Sequence, residues 1–331
     1  KNLFLAIGLS IAIIVVFQFL FPQQATIKNT DTQVDKQIQP ATSIDDDILK
    51  TTLVKSKEEI IYLSERVIIN TPSLSGSINL KGAILDDLIL LKYNEKLNDN
   101  SKKITLFSPD GTANPYYFEL GWKQLSNEAS TIELPTLDTQ WISSGSNLSE
   151  NNPITLTWKN SQNINFKIIF EIDQNYLFNI SQIIENNSVN TIKVFPYRLI
   201  KRINFPQTIN FFILHEGLIS LLDDKLLEKK YDHLLDDCSS VSSGKKLFCD
   251  QKSTGGWLGF TDKYWMATLI PDQSKPINAN FRHGNNGRDN FRVGYVGEVI
   301  NIPSNSLSSY AGKLFAGAKN LKVLNQYKNN G

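Results

Sequence analysis

The distribution of apolar and polar residues divides the chain into four parts, and the first is the most apolar. Leu3 to Phe21 spans nineteen positions without a charge, and only Ser10 and Gln18 are polar. At about 1.5 Å per residue, a helix of this length just spans a hydrocarbon core of about 30 Å. The pattern therefore predicts a transmembrane helix over residues 1–21.

A cleaved signal peptide is the alternative interpretation of this apolar run. Signal peptides have an apolar core of about 7–15 residues and a small-x-small cleavage motif. This run is longer, and its bulky residues 19–21 lead into the polar residues 22–24 without such a motif, which favours an uncleaved anchor. Lys1 is the only charge before the run, so the positive-inside rule favours a cytoplasmic N-terminus and an exported body.

The second part, residues 22–57, contains no aromatic residue and no glycine. It is composed mainly of Gln, Thr, Asp and Lys with scattered Ile and Val. Such a composition buries too little apolar surface to offset the entropy lost on ordering. We therefore expect a disordered polar tether.

The third part, residues 58–318, alternates short β-branched and aromatic runs with turn residues. The first runs that predict strands are Arg66–Asn70, Ala83–Leu91, Lys103–Phe107, Pro153–Lys159, Ile164–Ile172 and Tyr176–Asn186. Roughly fifteen to eighteen strands follow from this spacing, too many for one open sheet. The fold class predicted is mainly β: a large antiparallel β-sandwich.

In the fourth part, residues 319–331, the spacing of apolar residues changes from a period of two residues to one of about three and a half. Leu321, Leu324 and Tyr327 recur at i, i+3 and i+6 within Lys319–Tyr327. This spacing predicts a short amphipathic C-terminal helix. The chain stops at Gly331 without a natural helix terminator, so we expect the parent protein to continue.

Net charge and cysteine content limit the classes of partner and site that the chain can have. The net charge of +1 gives no field to gather nucleic acid, which is excluded as a partner. The two cysteines, Cys238 and Cys249, match no zinc spacing. In an exported body they could close a hairpin as a structural disulfide. The alternative is two unpaired, buried small side chains.

No motif for covalent chemistry is present. The sequence lacks G-x-S-x-G, H-E-x-x-H, a P-loop and a dinucleotide fingerprint. His215-Glu216 is the most suggestive acid/base pair, but neighbours in a strand point to opposite faces. The paired carboxylates Asp86-Asp87, Asp223-Asp224 and Asp236-Asp237 lack the spacing of a calcium loop. We predict no catalytic, cofactor-binding or metal-ligating residue and no enzymatic activity.

The densest aromatic block lies in residues 255–273, GGWLGFTDKYWMATLIPDQ. Its aromatic side chains are Trp257, Phe260, Tyr264 and Trp265. They could form a partner surface that stacks on a sugar or an apolar peptide. The alternative, which we favour, is a pair of core strands whose glycines permit close backbone packing.

Several motifs in one order give the chain a family resemblance. They are the block at 255–273, VFPYRLIKR at 194–202, HEGLISLLDDKLLEKKYDHL at 215–234, SLSSYAGKLFAGAKNLKVLNQY at 306–327, the opening strands at 66–93 and the N-terminal apolar helix. Together they resemble the first half of Gram-negative members of the YidC membrane protein insertase family. The resemblance covers the chain except for the tether.

This resemblance implies a galactose-mutarotase-like supersandwich in the periplasm, anchored in the bacterial inner membrane by Leu3–Phe21. It also implies a non-catalytic role in inserting, folding and assembling inner-membrane proteins, alone or with the Sec translocon and its accessory subunits. Nascent inner-membrane proteins and lipid would be the partners. The five further transmembrane helices of the family, which hold its groove arginine, are not in this sequence. The alternative function is a membrane-anchored periplasmic carbohydrate-binding or epimerase-like protein.

Overall fold

The computed structural model describes residues 54–96, 101–124, 131–206, 215–238, 249–285 and 287–329. These ranges contain twenty strands and three short helices. The predicted transmembrane helix at 1–21 and the predicted tether up to residue 53 lie outside the described residues. None of the three helices described here has the length and apolar character needed to cross a bilayer.

Eleven strands form the larger sheet. Its main path runs, in spatial order, through β14 (Asp250–Thr254), β17 (Pro276–Asn285), β18 (Asp289–Gly297), β11 (Ile192–Ile203), β5 (Tyr116–Lys123), β3 (Ile84–Asn94), β2 (Leu74–Asn79), β1 (Arg66–Asn70) and β7 (Asn147–Leu148). Beside this path, β19 (Ile300–Ile302) pairs with β11 and β4 (Lys103–Phe107) pairs with β3. The pairing is antiparallel except between β1 and β7, which run parallel.

Nine strands form the smaller sheet, and all their pairings are antiparallel. In spatial order they are β13 (Lys225–Lys230), β12 (Gly217–Leu222), β15 (Trp257–Thr261), β16 (Trp265–Pro271), β20 (Ser306–Ala318), β10 (Leu177–Asn186), β9 (Ile164–Ile172), β8 (Ile154–Lys159) and β6 (Ile142–Ser143). The last strand in sequence, β20, therefore lies in the middle of the sheet, between β16 and β10.

Alternating hydrophobicity explains these strands. In β9 the side chains of Ile164, Phe166, Ile168 and Phe170 are buried, and the intervening residues are more exposed. A period of two matches a strand with one face on a core. The tight turn between β12 and β13 uses Asp223 and Asp224, with φ of 46° and 59°. Asp tolerates this left-handed region better than most residues, which suits a two-residue hairpin loop.

The core lies between the two sheets. Trp122 of β5 and Phe166 of β9 belong to different sheets, and their ring centroids are 5.2 Å apart. Phe118 and Phe291 of the larger sheet and Phe178 of the smaller sheet are fully buried. Interdigitation of two inner faces is the packing of a β-sandwich. The predicted fold class is confirmed, with twenty strands where we expected fifteen to eighteen.

Three short helices flank the sandwich: α1 (Lys57–Ile61), α2 (Tyr231–Asp237) and α3 (Leu321–Asn329). Helix α1 begins at the last residue of the predicted tether. Its N-cap is a capping box, in which Ser56 Oγ accepts from the Glu59 N–H and Glu59 accepts from the Ser56 N–H. Helix α3 confirms the predicted C-terminal helix and begins at Leu321, the first residue of the predicted apolar period.

Candidate functional site

Of the four aromatic side chains of the 255–273 block, the structure brings Tyr264 and Trp265 into edge-on contact, with ring centroids 6.0 Å apart, but does not gather all four together. Phe260 is 1% exposed and stacks on Tyr231 of α2, with ring centroids 5.5 Å apart. Trp265 is half-buried and meets Tyr93 of β3 edge-on at 5.0 Å. Both rings therefore pack within the sandwich or at its margin, on elements of the opposite sheet or on α2.

Trp257 and Tyr264 differ from these two. Tyr264 lies in the turn before β16, is 55% exposed, and has Lys263 Nζ 5.0 Å from its ring centroid. Trp257 is half-buried and lies opposite Leu221 of β12. It is three positions from Phe260 in β15, so the two side chains leave the sheet on opposite faces. The four aromatic residues do not form one common surface.

A disulfide joins Cys238 and Cys249 in the structure, with Cα atoms 5.7 Å apart. It connects the C-terminal end of α2 to the start of β14, and both cysteines are buried. Backbone groups beside it are paired as well, because the Cys238 carbonyl accepts from the His283 N–H at 2.9 Å. The position is that of a structural cross-link.

The acid/base pair His215-Glu216 is not in a strand, contrary to our expectation. Both residues precede β12, which begins at Gly217. The Nε2 atom of His215 is 2.7 Å from the Leu218 carbonyl oxygen, and Glu216 accepts from the Lys263 N–H at 3.0 Å. Both side chains thus bond to backbone groups, His215 to that of Leu218 in β12 and Glu216 to that of Lys263 in the β15–β16 turn.

The paired carboxylates Asp86-Asp87 form a buried network with Arg66. Asp86 forms an ion pair with Arg66, and burial raises the pKa of Asp86 to about 6. Asp87 accepts a 2.7 Å hydrogen bond from Ser77 Oγ and lies 2.5 Å from Nζ of Lys57. The network ties α1 and β1 to β2 and β3, which is a structural role.

The other paired carboxylates lie in local structure. Asp223-Asp224 forms the β12–β13 turn, where Asp223 Oδ1 accepts a 3.0 Å hydrogen bond from Ser253 Oγ. Asp236-Asp237 lies at the end of α2. No group of three or more His, Cys, Asp or Glu residues that could hold a metal ion occurs in the described ranges.

The sequence analysis missed a cluster that the fold assembles around Arg202 of β11. Arg202 Nη1 donates to Asp262 Oδ1 at 2.7 Å and to the Tyr231 hydroxyl at 3.0 Å. The Tyr116 ring centroid lies 4.5 Å from the centre of the guanidinium. Burial raises the pKa of Tyr116 well above its usual value of 10. This Arg202 cluster joins β5, β11, α2 and the β15–β16 turn.

A second arginine of β11 lies four positions earlier and is also directed into the sandwich. Arg198 is fully buried, and its Nε donates to Gln182 Oε1 at 3.0 Å while Nη2 donates to the Ile180 carbonyl at 2.8 Å. Gln182 and Ile180 belong to the smaller sheet, so Arg198 bridges the two sheets. The sequence offered one signal for these contacts. Arg198 and Arg202 are an even number of positions apart in an apolar strand, so both side chains lie on the same face and indicate polar contacts there.

Comparison with known proteins gives consistent results for family and fold. Residues 66–330 match the sequence profile of the family described as "YidC periplasmic domain". "Membrane protein insertase YidC" of Methylorubrum extorquens is 40% identical over 275 residues, covering 82% of this chain and 44% of that protein. The protein of the same name from Cereibacter sphaeroides is 35% identical over 336 residues, covering 100% of this chain and 53% of that one.

A solved structure supports the fold alone. The galactose mutarotase related enzyme of Lactobacillus acidophilus superposes with a TM-score of 0.51 at 9% identity, covering 76% of this chain and 97% of that one. The chain spans about half the length of the curated relatives that it matches. A profile match over most of the chain, with relatives above 30% identity across it, shows the family. The chain belongs to the YidC family of membrane protein insertases.

Proposed function

We propose that this chain is the N-terminal and periplasmic portion of an insertase that helps insert, fold and assemble inner-membrane proteins, alone or with the Sec translocon. The observation that carries the proposal is the match of residues 66–330 to the YidC periplasmic domain. Relatives that bear the insertase name are about twice as long, so the activity belongs to a protein of which this chain is one part.

The proposed layout assigns residues 1–21 to a transmembrane signal-anchor with a cytoplasmic N-terminus. Residues 22–57 form the tether, 58–318 the periplasmic sandwich and 319–331 the helix that leads toward the membrane. One limit of this layout has support in the structure, since β20 ends at Ala318; α3 begins at Leu321, two residues after the proposed start at 319. The bilayer is contacted through Leu3–Phe21.

The proposed role needs no covalent chemistry. An insertase lowers the cost of moving polar segments through hydrocarbon, which is a matter of environment and position. The geometry of α3 suits this role, because its Val323, Leu324 and Tyr327 pack against the core of the sandwich. Because the sandwich packs firmly against α3, it can bind a partner in a fixed orientation relative to the segment that follows α3.

A hybrid protein tests the proposal. Residues 1–331 would replace the matching half of the Methylorubrum extorquens relative in cells depleted of their own insertase. We expect insertion of a test inner-membrane protein to be restored, and a hybrid lacking residues 66–318 serves as the control for the sandwich. A full hybrid that accumulates in the membrane but restores no insertion would contradict the proposed function.

Partner contacts are tested by site-specific photo-crosslinking in the same hybrid. Tyr264, Leu226 and Val189 are exposed positions on three different turns or strands. Crosslinks to Sec accessory subunits or to nascent membrane proteins from one of these positions, but not from all three, would identify a partner-binding face. Equal labelling from every position would indicate contact without a defined face.

The carbohydrate-binding or epimerase-like alternative rests on the shared fold, and fold does not determine function. His215, the residue that this alternative would use as an acid or base, bonds to the Leu218 carbonyl. Calorimetric titration with galactose distinguishes the two functions. Saturable heat with galactose would support the alternative.

A further inference from the structure

A cavity of about 570 Å³ lies beside α1, where the chain enters the sandwich. Its wall includes Arg202 of β11, Tyr116 of β5, Thr105 of β4, and Phe205 just after β11. Cavities that hold small ligands usually measure about 300–1,000 Å³. Size and mixed polar and aromatic walls therefore suit a small molecule or a single side chain.

The guanidinium of Arg202 gives this cavity its chemistry. Both hydrogen bonds that the Arg202 side chain makes within the described residues use Nη1, toward Asp262 and Tyr231. The edge formed by Nε and Nη2 has no hydrogen-bond partner there. That edge is the one with which arginine binds a carboxylate through two parallel N–H donors.

Two aromatic rings fix the orientation of this edge before any ligand arrives. The centre of the Arg202 guanidinium lies 4.5 Å from the Tyr116 ring centroid and 5.6 Å from that of Tyr231. Contacts of this kind hold a guanidinium plane in place. Because the donor group is already ordered, a ligand loses less free energy to side-chain ordering on binding.

The charge balance of the wall indicates the class of ligand. Three cations, Lys55, Lys57 and Arg202, line the cavity together with Glu95. Lys57 pairs with Asp87 and Arg202 pairs with Asp262, so three carboxylates offset the three cations. A wall without surplus positive charge is poorly suited to a doubly charged phosphate. The planar two-donor edge of Arg202 matches a group with one negative charge and planar two-oxygen geometry.

We propose that this cavity binds a carboxylate, which accepts hydrogen bonds from Nε and Nη2 of Arg202. The carboxylate is carried either by a small free acid or by an acidic side chain of a polypeptide. The hydroxyl of Thr105 and the ammonium of Lys55 are further donors among the side chains of the wall. This binding site goes beyond the insertase function and does not depend on it.

Calorimetric titration of the full chain in detergent tests the proposal with four probes: glutarate, the blocked tripeptide acetyl-Ala-Glu-Ala-amide, inorganic phosphate and galactose. We expect a carboxylate probe to bind with Kd of about 1 mM or tighter, and phosphate and galactose to bind at least about tenfold more weakly. Tighter binding of the tripeptide indicates a polypeptide source, and tighter binding of glutarate indicates a free acid; either supports the site.

Variants locate the binding. Arg202→Lys keeps the charge but removes the fork, and we expect the carboxylate Kd to rise about tenfold or more. Arg282→Lys is the matched control, because Arg282 is also a buried arginine paired with a carboxylate, that of Asp250, but does not line the cavity. Its Kd should stay within about twofold of the wild type.

Wall variants keep the test valid should Arg202→Lys fail to fold. The side chains of Lys55 and Thr105 are both exposed, and the strands of the eleven-stranded sheet pair through backbone groups, not through the Thr105 hydroxyl. Lys55→Gln and Thr105→Val therefore leave the core intact. We expect each to raise the Kd about two- to threefold. The proposal is overturned if neither carboxylate probe binds, or if phosphate or galactose binds as tightly as the carboxylate probes. It is also overturned if Arg202→Lys, Lys55→Gln and Thr105→Val all bind the carboxylate probes like the wild type.

Discussion

Tyr327 and Asp173 are 154 residues apart in sequence, and the Tyr327 hydroxyl donates a 2.5 Å hydrogen bond to Oδ2 of Asp173. The same hydroxyl accepts a 3.2 Å bond from the Tyr176 N–H, and the Tyr327 ring meets Phe315 of β20 edge-on. One side chain thus fastens α3 both to the β9–β10 turn and to the central strand of the smaller sheet.

Replacing Tyr327 by Phe should loosen α3 while leaving the sandwich folded. The change keeps the ring but removes a hydroxyl that makes two hydrogen bonds, so we expect a loss of about 1–2 kcal/mol in the docking of the helix. Amide hydrogen exchange over residues 321–329 should become faster relative to β9 and β10. Tyr264→Phe alters an exposed tyrosine and is the control. Unchanged exchange in α3 would show that the hydroxyl contributes nothing to docking.

Asp86 should make the free energy of unfolding fall as the pH rises from about 4 to about 6. Burial raises the pKa of Asp86 to about 6 from its ordinary 3.8, so the folded chain binds this proton more tightly than the unfolded chain. The resulting stabilisation is complete below pH 3.8 and is lost as the pH rises through 6. A shift of this size corresponds to about 3 kcal/mol.

Chemical denaturation of wild type and Asp86→Asn at several pH values measures this effect. The amide does not titrate, so the difference between the two unfolding free energies should change by about 2 kcal/mol between pH 4 and pH 6, out of about 3 kcal/mol for the whole titration. Comparing how the two unfolding free energies change with pH removes the constant cost that Asp86→Asn causes by taking away the ionic partner of Arg66. Asp110→Asn removes an exposed carboxylate and is the control. Parallel pH curves for wild type and Asp86→Asn would disprove the prediction.

Loss of the Cys238–Cys249 cross-link should destabilise the sandwich by about 3 kcal/mol, as expected for a closed loop of this size. The two cysteines are 11 positions apart and are the only ones in the chain. Thiol labelling of unreduced, denatured protein should detect no free thiol, and two after reduction. The Cys238→Ser/Cys249→Ser double variant and the reduced wild type should then have equal unfolding free energies. Two reactive thiols before reduction would refute the cross-link.

Gly259 should not tolerate a side chain, because a Cβ atom there would lie 2.0 Å from the backbone oxygen of Ala267 in the neighbouring strand. Relief requires β15 and β16 to move apart, and we expect Gly259→Ala to cost about 1–3 kcal/mol. Gly145→Ala is the matched control, since its Cβ would meet only the tip of Ile154 at 3.3 Å. Equal thermal midpoints for the two variants would contradict this prediction.

Local sequence predicted the strands well where their pattern was unambiguous. Arg66–Asn70, Lys103–Phe107 and Ile164–Ile172 are strands with the bounds that the sequence indicated. Their residues alternate or cluster over the length of the strand, and turn residues mark both ends. His215-Glu216 was misplaced because apolar residues flank the pair on both sides in the sequence, whereas β12 starts only at Gly217.

The Arg202 cluster could not be predicted, because it depends on which strands become neighbours. Arg202 and Asp262 are 60 positions apart, and Tyr116 comes from a third element. Nothing in a local window shows that β11 and the β15–β16 turn face each other across the sandwich. Even the Cys238–Cys249 pairing, which the sequence suggested, remained one of two alternatives until α2 and β14 were placed side by side.

The central position of β20 has a consequence for the order in which the domain can be completed. Chains are synthesised from the N-terminus, and Ser306–Ala318 is the last of the described strands to be made. Until then, β6–β8–β9–β10 and β13–β12–β15–β16 are two half-sheets, each with an open hydrogen-bonding edge at β10 or β16. Open edges invite pairing with foreign chains. The sandwich therefore stays vulnerable to mispairing through nearly all of its synthesis, and the strand that completes the smaller sheet is also the one that leads into α3.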